Sequence, residues 1–377
     1  MDRQPLMKRL ATDKPCEIDK YFRAAIKMQA SDLHLRGGEV PRFRVGGHLR
    51  PTTGEPLTAE QVECLTFEIM SDEQRQYFLA HGALDFAYDA GVTDRFRVNV
   101  YRTRGNVALA ARRVSSVIPA FEKLNLPPTI PKIADVYQGL VLVTGVTGCG
   151  KSTTIASMLD HINHSRQCHI VTIEDPIEYI FQGDKALVSQ REIGVDVPTY
   201  EEALRSLMRE DPDVVLIGEM RDYATLTAGL RAAETGHLVF ATLHSTDAYQ
   251  TITRLLDLTP QTERHMIRQA LVGNLRAAIS QRLLPTIRKE PSRVPAAEIL
   301  IANPAARKLI AEEREVDLPV VIRSSYQEGM VDYTESLRQL VEKEYIDVKT
   351  AYAHAPNVEE LKMALKGIRS TAGGLIG

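Results

Sequence analysis

The stretch Leu140-Val-Leu-Val-Thr-Gly-Val-Thr-Gly-Cys-Gly-Lys-Ser-Thr-Thr154 decides the fold class of this chain. Its first residues, Leu140–Val143, form a short apolar run that predicts a buried strand. The next residues, 145–152, match the glycine-rich pattern G-x-x-x-x-G-K-[ST] at every position. Thr153–His161 can continue as a helix. A strand, a glycine-rich loop and a helix in this order predict a P-loop nucleotide-binding domain of the α/β class.

The residue types of this loop suit phosphate binding. Glycines let backbone N–H groups wrap phosphate oxygens, and the helix N-terminus adds the positive end of its dipole. We expect Lys151 to reach the β- and γ-phosphates of ATP, and the Ser152 hydroxyl to bind Mg²⁺. The predicted nucleotide-binding residues are Gly145, Thr147, Gly148, Cys149, Gly150, Lys151, Ser152 and Thr153.

The chain around this loop alternates between strand and helix patterns. Such alternation is typical of a largely parallel α/β sheet. The predicted strands are Leu140–Val143, His169–Ile173, Val214–Ile217 and Leu238–Thr242. Beyond Gln261 we expect mostly helix, with a hairpin formed by Gln281–Leu284 and Arg293–Ile299.

The first third of the chain has a different pattern. It predicts helices at Thr58–Met70 and Asp72–Leu79, and then three strands, Phe86–Tyr88, Arg95–Arg102 and Val107–Val114. This is a small α+β unit with an antiparallel sheet. Because proline lacks an N–H and blocks regular structure, a proline-rich stretch after it predicts a linker. We therefore divide the chain into domain 1–118, linker 119–131 and domain 132–377.

Composition excludes several classes of protein. The 377 residues carry a formal net charge of −3, which argues against a general polyanion binder. Apolar residues make up 44%, which is enough for buried cores. Residues 1–16 are polar, without an apolar signal core, and no apolar run reaches the ~20 residues of a membrane span. The four cysteines form no Cys-x-x-Cys pair, so a four-thiolate zinc site is disfavoured. We expect a cytoplasmic protein.

Two strand ends carry acidic candidates. Asp213–Glu219 is an apolar strand that ends in a carboxylate, and Glu219 would hold Mg²⁺ or its water although Asp is usual where Gly218 stands. Thr172–Glu178 is a second strand end, with three carboxylates at positions 174, 175 and 178. At least one of these orients or activates the attacking water, unless all three are solvated loop acids.

Two histidines bracket the strand Leu238–Thr242. His244 follows the strand, at the carboxyl end where α/β sheets bind ligands, and could sense the γ-phosphate. His237 precedes the strand, and a structural role is the simpler interpretation for it. Arginines of the first domain could stabilise charge on the γ-phosphate, although most strand arginines are solvated or paired. These arginines are Arg95, Arg97, Arg102, Arg112 and Arg113.

Taken together, these motifs resemble the PilT-type secretion ATPases, the type IV pilus retraction motors of twitching motility. The resemblance runs from Ser31-Asp-Leu-His34 to about Lys366. Thr172–Glu178 resembles the family's Asp box, Ile217–Arg221 its Walker B motif and Thr235–His244 its His box. A P-loop alone would not distinguish this family from other NTPase families, whereas four motifs in order do.

The resemblance implies a fold and a set of roles. It implies a RecA-like P-loop motor domain preceded by a small α+β PAS-like domain. Glu178 matches the catalytic glutamate and Glu219 the Walker B glutamate, while His237 and His244 match the paired His-box residues. Arg97 and Arg112 match arginines that complete the site across a subunit boundary.

The resemblance also implies an assembly. Members form homo-hexameric rings in which ATP hydrolysis changes the angle between the two domains. That motion drives pilus disassembly through an inner-membrane platform protein, at the inner face of the bacterial inner membrane, with membrane association only through partners. No direct contact with nucleic acid is implied.

The sequence leaves the subtype open. The family's C-terminal retraction motif is only partly kept in Ala305–Glu312, and the helices around Gln327–Leu340 resemble the accessory PilU-type motor about as well. The alternatives are a type II or type IV secretion ATPase of the same superfamily, a RecA-like nucleic-acid motor and a non-hydrolysing nucleotide sensor. Cys149 adds a separate hypothesis: the phosphate-binding loop lowers its thiol pKa, so that oxidation or alkylation blocks nucleotide binding.

Overall fold

The chain is divided between two structural units. The computed structural model describes residues 17–89, 94–114 and 116–368. Unit 1 contains the described residues up to Val117 together with Pro176–Gln182 and Glu192–Pro198, and unit 2 contains the rest. The predictions made for residues 1–16 and for the last residues of the tail lie outside the described residues.

Unit 1 is built on a six-stranded antiparallel sheet in the order β3-β2-β1-β6-β5-β4. The predicted helices and strands of this region are confirmed. Its elements are α1 (Asp19–Lys27), β1 (Asp32–Arg36), β2 (Arg42–Val45), β3 (His48–Pro51), α2 (Ala59–Glu68), α3 (Asp72–His81), β4 (Ala83–Asp89), β5 (Arg95–Thr103) and β6 (Asn106–Val114).

Local sequence explains where the helices of unit 1 begin. Thr58 caps α2 and Ser71 caps α3, and each forms a reciprocal capping box with the glutamine three residues later. Alternating residues of β5 are buried in the core of unit 1, among them Phe96 and Val98. The residues that alternate with them along β5, such as Arg97, are exposed or half-buried.

Unit 2 carries the P-loop. Its first elements are α4 (Phe121–Leu124), α5 (Thr129–Ala134), β7 (Gly139–Thr144), α6 (Lys151–Ser165), β8 (His169–Glu174), β9 (Leu187–Glu192), α7 (Tyr200–Leu207), β10 (Val214–Ile217), α8 (Tyr223–Glu234), β11 (Leu238–Leu243) and α9 (Ala248–Asp257). The remaining elements are α10 (Arg264–Asn274), β12 (Leu275–Pro285), β13 (Arg293–Ile301), α11 (Pro304–Ala311), α12 (Leu318–Ser324), α13 (Tyr333–Glu342), α14 (Val348–His354) and α15 (Val358–Leu365).

The sheet of unit 2 has seven strands in the order β13-β12-β7-β11-β10-β8-β9. The strands β12, β7, β11, β10 and β8 run parallel to one another, and β13 pairs antiparallel with β12. Every residue of β7, β10 and β11 is buried, as expected when helices cover both faces of a parallel sheet. The four predicted strands and the hairpin are confirmed, and the hairpin strands are longer than predicted.

The structure adds detail to the predicted linker and domain division. The stretch 119–131 is not an irregular linker, since it contains α4 and the start of α5, where Ile130 is fully buried and Thr129 Oγ1 donates to the carbonyl of Gly329 at 2.8 Å. The division into two consecutive domains is also too simple, because the chain enters unit 1 again at Pro176–Gln182 and Glu192–Pro198. Proline content predicted neither outcome, since both depend on contacts between distant residues.

The predicted fold class is confirmed. A small α+β unit comes first in the chain, and a P-loop α/β unit with a mainly parallel sheet follows. No helix among the described residues is long and apolar enough to cross a membrane.

Candidate active site

The P-loop lies between the central strand β7 and the helix α6. The strand ends at Thr144 and the helix starts at Lys151, with Gly150 in a left-handed conformation as its N-cap. Lys151 Nζ donates to the carbonyl oxygens of Gly145 at 2.9 Å and Val146 at 3.2 Å. Residues 146–148 and Ser152 are exposed. The loop therefore presents its outer side, a lysine and a hydroxyl at a helix N-terminus, and this set of groups fits a Mg²⁺-bound polyphosphate.

Cys149 faces the interior rather than the outer side of the loop. It is 2% exposed, and a Cβ placed on Gly145 would stand 2.5 Å from its Sγ. Burial raises the pKa of the Cys149 thiol, and the nearby charge of Lys151 offsets only part of this effect. The expectation of a lowered thiol pKa is therefore wrong, because burial of the side chain outweighs the charge of Lys151 and the backbone N–H groups of Cys149 and Lys151, which lower that pKa.

The Walker B carboxylate lies at the carboxyl end of the sheet. Glu219 follows β10, and its Oε2 accepts from Arg221 Nε at 2.8 Å. Its Oε1 is 3.4 Å from His244 Nε2, which follows the neighbouring strand β11. Since β11 lies between β10 and β7, this edge of the sheet joins Glu219, His244 and the P-loop. The structure thus brings together three features that the sequence placed at strand ends.

Gly218 stands where an Asp is usual because the space is already occupied. A Cβ at this position would lie 2.9 Å from the hydroxyl of Tyr200 and 3.1 Å from the carbonyl of Ile173. Burial raises the pKa of Tyr200, and Asp175, among other nearby carboxylates, raises it further. The phenol therefore stays protonated, as a hydrogen-bond donor among carboxylates.

Glu174 and Asp175, two of the three Asp-box carboxylates, belong to unit 2. Glu174 is buried, and its Oε1 accepts from the Thr172 hydroxyl at 2.7 Å and from Gln190 Nε2 at 3.4 Å. Asp175 is exposed and lies 3.9 Å from Arg221. Glu174 is thus held by structural hydrogen bonds, which leaves the exposed carboxylates of the box as the better candidates for chemistry.

A chain of buried hydroxyls connects the start of the P-loop to the His box. Thr144 Oγ1 lies 2.8 Å from Ser280 Oγ and 3.4 Å from Thr251 Oγ1. Thr251 Oγ1 is in turn 2.7 Å from Ser245 Oγ, in the residue after His244. All four hydroxyl residues are less than 9% exposed. These hydrogen bonds hold the start of the P-loop and the segment after His244 in fixed positions relative to each other.

The second histidine of the His box lies at the other end of the same strand. His237 Nδ1 donates to the carbonyl of Ala232 at 2.8 Å and is 3.1 Å from Thr235 Oγ1. In the register of β11 with β7, Leu238 is opposite Gly139 and Leu243 is opposite Thr144. His237 is therefore about 20 Å from the P-loop of its own chain, at 3.3 Å per residue. The structure does not bring the two histidines together.

The two candidate arginines belong to unit 1. Arg97 on β5 and Arg112 on β6 are directly opposite each other, and both are exposed. Arg112 Nε donates to Asp32 Oδ1 at 3.0 Å, and Arg44 Nε is 3.4 Å from Asp32 Oδ2. Like charges directly opposite each other destabilise a sheet, and the carboxylate of Asp32 offsets part of this repulsion.

Asp32 holds part of this arginine cluster. Burial by itself would raise the pKa of its carboxyl, but the Ser31 hydroxyl and the Arg112 guanidinium outweigh burial and lower that pKa. Asp32 therefore stays ionised and paired with Arg112. The residue lies in the Ser31–His34 motif, to which sequence reasoning had assigned no function.

Glu178, the predicted catalytic glutamate, is also part of unit 1. It is exposed and lies in the segment Pro176–Gln182. The last segment of unit 1, Glu192–Pro198, begins with another glutamate. Burial raises the pKa of Glu192, although the positive charges of Arg95 and Arg97 lower it in part.

Sequence reasoning missed several residues of this region. Tyr200, Gln281, Thr251 and Asp32 all act through contacts with residues distant in the sequence. Only Asp32 had a local signal, because it stands in a motif of the recognised family. The others lie inside ordinary helix and strand patterns.

Comparison with known proteins agrees with this geometry. Residues 13–312 match the family described as type II/IV secretion system protein. The chain belongs to this family, and it is a P-loop ATPase of the α/β class.

Two relatives from Pseudomonas aeruginosa are similar over most of the chain. The type IV pilus retraction ATPase PilT is 42% identical over 89% of this chain and 97% of its own length. The type IV pilus ATPase PilU is 35% identical over 93% of this chain and 91% of its own length. A crystal structure of the pilus retraction motor PilT with bound ADP superposes with a TM-score of 0.84 at 40% identity, covering 93% of this chain and 99% of that one.

Proposed function

We propose that this chain is a Mg²⁺-dependent ATPase motor that powers retraction of type IV pili. The observation that carries the proposal is an intact P-loop beside Glu219 and His244, in a chain 42% identical to PilT over 89% of its length. The exposed outer side of the loop supports binding of the nucleotide phosphates there. Identity to PilT exceeds identity to PilU, which favours the retraction subtype.

The proposed chemistry in unit 2 follows from the charges at the carboxyl edge. Lys151 turns from the loop carbonyls to the β- and γ-phosphates and offsets their negative charge. Ser152 and Glu219, partly through water, would hold Mg²⁺, which neutralises charge on the phosphates. Because His244 Nε2 is 3.4 Å from Glu219, the histidine can respond to a change at the γ-phosphate and transmit it to Ser245 and the hydroxyl chain.

The other proposed roles belong to unit 1 residues. Glu178 activates the attacking water, since it is an exposed carboxylate at the end of the Asp box. Arg97 and Arg112 stabilise the charge that develops in the transition state from a neighbouring domain or subunit. The exposure of both arginines and their directly opposite positions on β5 and β6 support this role.

The proposed assembly is that of the PilT-type motors. Six copies form a ring, and hydrolysis changes the angle between the two units of each subunit. The ring acts on an inner-membrane platform protein of the pilus machine, at the cytoplasmic face of the bacterial inner membrane. PAS-like and RecA-like are the fold descriptions that the family resemblance gives to units 1 and 2.

The second candidate is an accessory motor or a secretion ATPase of the same family, which the 35% identity to PilU supports. The experiment that tests the proposal is deletion of the gene in its own host, with surface pili and twitching measured. We expect excess surface pili without motility. Loss of pili would instead indicate an assembly motor, and unchanged pili with unchanged motility would contradict both pilus functions.

A nucleic-acid motor is the remaining candidate, and its test is biochemical. Single-stranded DNA added to the purified chain should leave the rate of phosphate release unchanged, because a net charge of −3 argues against a general polyanion binder. A rate that rises with DNA concentration would favour the nucleic-acid motor over the pilus motor.

A further inference from the structure

A buried amide lies directly behind the P-loop. Gln281, on β12, is 2% exposed, and its Nε2 donates to the carbonyl oxygen of Cys149 at 2.8 Å. Its Oε1 accepts from the hydroxyl of Thr154 at 2.9 Å. Cys149 belongs to the loop and Thr154 to the first turn of α6. One side chain therefore connects the loop to the helix that follows it.

The same residue also limits the space beneath the glycines of the loop. A Cβ on Gly145 would stand 2.4 Å from the carbonyl oxygen of Gln281, and a Cβ on Gly150 would stand 3.0 Å from Gln281 Nε2. The strand β12 pairs with β7, so Ser280 is opposite Thr144 at the start of the loop. Gln281 thus packs against both ends of the glycine-rich segment.

The hydrogen bond to Cys149 has a consequence for the outer side of the loop. In a planar trans peptide the C=O and the following N–H point in opposite directions. Because the carbonyl of Cys149 points back to Gln281, the N–H of Gly150 points away from Gln281. An N–H that faces outward at a helix N-terminus is a donor for a phosphate oxygen.

We propose that Gln281 is a positioning residue for the nucleotide phosphates: its amide orients the Cys149–Gly150 peptide and ties the loop to the first turn of α6. It does not touch the nucleotide. This inference rests on nucleotide binding at the P-loop and is independent of pilus retraction. It also explains why the side chain of Cys149 can be buried, since the loop uses the backbone and not the thiol at this position.

The primary test replaces the amide with an unbranched apolar side chain of similar length. Gln281→Met removes both hydrogen bonds, and Thr154→Val removes one of them while leaving the bond to Cys149. We expect Kd for ADP and KM for ATP to rise on the order of tenfold in Gln281→Met, since a lost hydrogen bond of about 1.4 kcal/mol corresponds to tenfold in affinity. Thr154→Val should show a smaller rise in the same direction.

The matched control is a second buried amide in the same unit. Asn163 lies far along α6, is fully buried, and its Oδ1 accepts from the N–H of Asp184 at 3.0 Å. Asn163→Ala should lower Tm and leave Kd for ADP unchanged. Calorimetric titration with ADP and thermal unfolding are measured on all variants, with Lys151→Ala as the reference for loss of the site.

The outcomes separate a positioning role from a purely structural one. A decrease in Tm for Gln281→Met with wild-type Kd, as in the control, would overturn the inference. If Gln281→Met does not fold, Gln281→Glu at pH 8 decides, because an ionised carboxylate keeps the size of the side chain and an acceptor for Thr154 but cannot donate to the carbonyl of Cys149; a wild-type Kd in that variant also overturns the inference. Failure of wild type to bind ADP would instead contradict nucleotide binding itself.

Discussion

The two ends of the strand β11 carry the same residue type in different settings. At its carboxyl end, His244 lies 3.4 Å from Glu219 and is exposed. At its amino end, His237 donates to the carbonyl of Ala232 near the end of α8, and its own carbonyl accepts from Gly139 N. One histidine faces a carboxylate beside the P-loop, whereas the other is occupied by backbone groups.

The difference follows from the direction of a parallel sheet. All the parallel strands of unit 2 end at one edge, so their following loops meet there, and ligands of such sheets bind at that edge. The P-loop, Glu219 and His244 belong to the loops that follow β7, β10 and β11. At the opposite edge lie the loops that precede the strands. There the side chain of His237 donates to a carbonyl in the last turn of α8. The position along the strand therefore decides which of the two histidines lies beside the P-loop, although the residue type is the same.

The largest loss of activity is expected from Lys151→Ala, at the carboxyl edge of the sheet. Removing the ammonium group leaves the phosphate charge without its main side-chain partner, so ATP hydrolysis should fall below detection and nucleotide affinity should fall at least tenfold. Phosphate release and ADP titration measure the two effects. Turnover within twofold of wild type would place the nucleotide elsewhere in the chain.

Glu219→Gln should come next, with a large effect on turnover and a small one on binding. The amide keeps the size of the side chain but removes the negative charge that would hold Mg²⁺ or its water. We expect kcat to fall on the order of a hundredfold, with Kd for ADP in the absence of Mg²⁺ within threefold of wild type. Glu234→Gln, at the end of α8, is the charge-matched control and should be neutral. Wild-type kcat in Glu219→Gln would contradict the assignment.

The two histidines provide the most direct contrast between the edges. We expect His244→Asn to lower kcat on the order of tenfold, because it removes the group that contacts Glu219. His237→Asn should leave kcat near the wild-type value, because His237 is distant from the P-loop of its own chain. It should lower Tm, because it weakens the bond to Ala232. Steady-state kinetics and thermal unfolding of both variants make the comparison. Equal losses of kcat would mean that His237 reaches a nucleotide of another subunit in the ring.

The smallest effect is expected from a buried carboxyl at the carboxyl edge. Glu298 on β13 caps α9, since its Oε1 accepts from Ala248 N at 2.8 Å. Burial raises the pKa of Glu298 to about 7, and Asp247 and Asp332 contribute to the increase while Arg282 opposes it. The folded state therefore binds more protons than the unfolded state between the ordinary carboxyl pKa and pH 7.

The sign of the pH dependence follows from this difference in bound protons. The contribution of Glu298 to the free energy of unfolding should decrease as the pH rises from about 4.5 to 7. Glu298→Gln keeps an acceptor for Ala248 and removes the titration, so Tm should vary less with pH by on the order of a few degrees. Thermal unfolding between pH 5 and 8 checks this. Identical Tm profiles for the two proteins would show that Glu298 does not titrate in this range.

Much of the fold and part of the site could be predicted from the sequence. The P-loop and the strand ends were recognisable because their signals are local: apolar runs, glycines and a carboxylate at the end of a strand. His244 and Glu219 were placed correctly at the carboxyl edge for the same reason. Helix caps such as Thr58 and Ser71 were also local signals.

The rest depended on contacts between residues far apart in the chain. Gln281 donates a hydrogen bond to Cys149, 132 positions away in the sequence, and no local pattern near either residue predicts it. The inward orientation of Cys149 reversed the expected direction of its pKa shift for the same reason. The prolines of 119–131 predicted a linker, whereas burial of Ile130 and the bond from Thr129 to Gly329 fold that stretch into unit 2.

The most direct test of the central claim is to follow labelled pili by fluorescence microscopy in living cells of the deletion strain. The strain carries either the wild-type gene or Lys151→Ala, at matched protein levels. We expect pili to extend in both strains and to retract only with wild type, because retraction requires hydrolysis at the P-loop. Retraction at the wild-type rate with Lys151→Ala would contradict the claim that this site powers the motor.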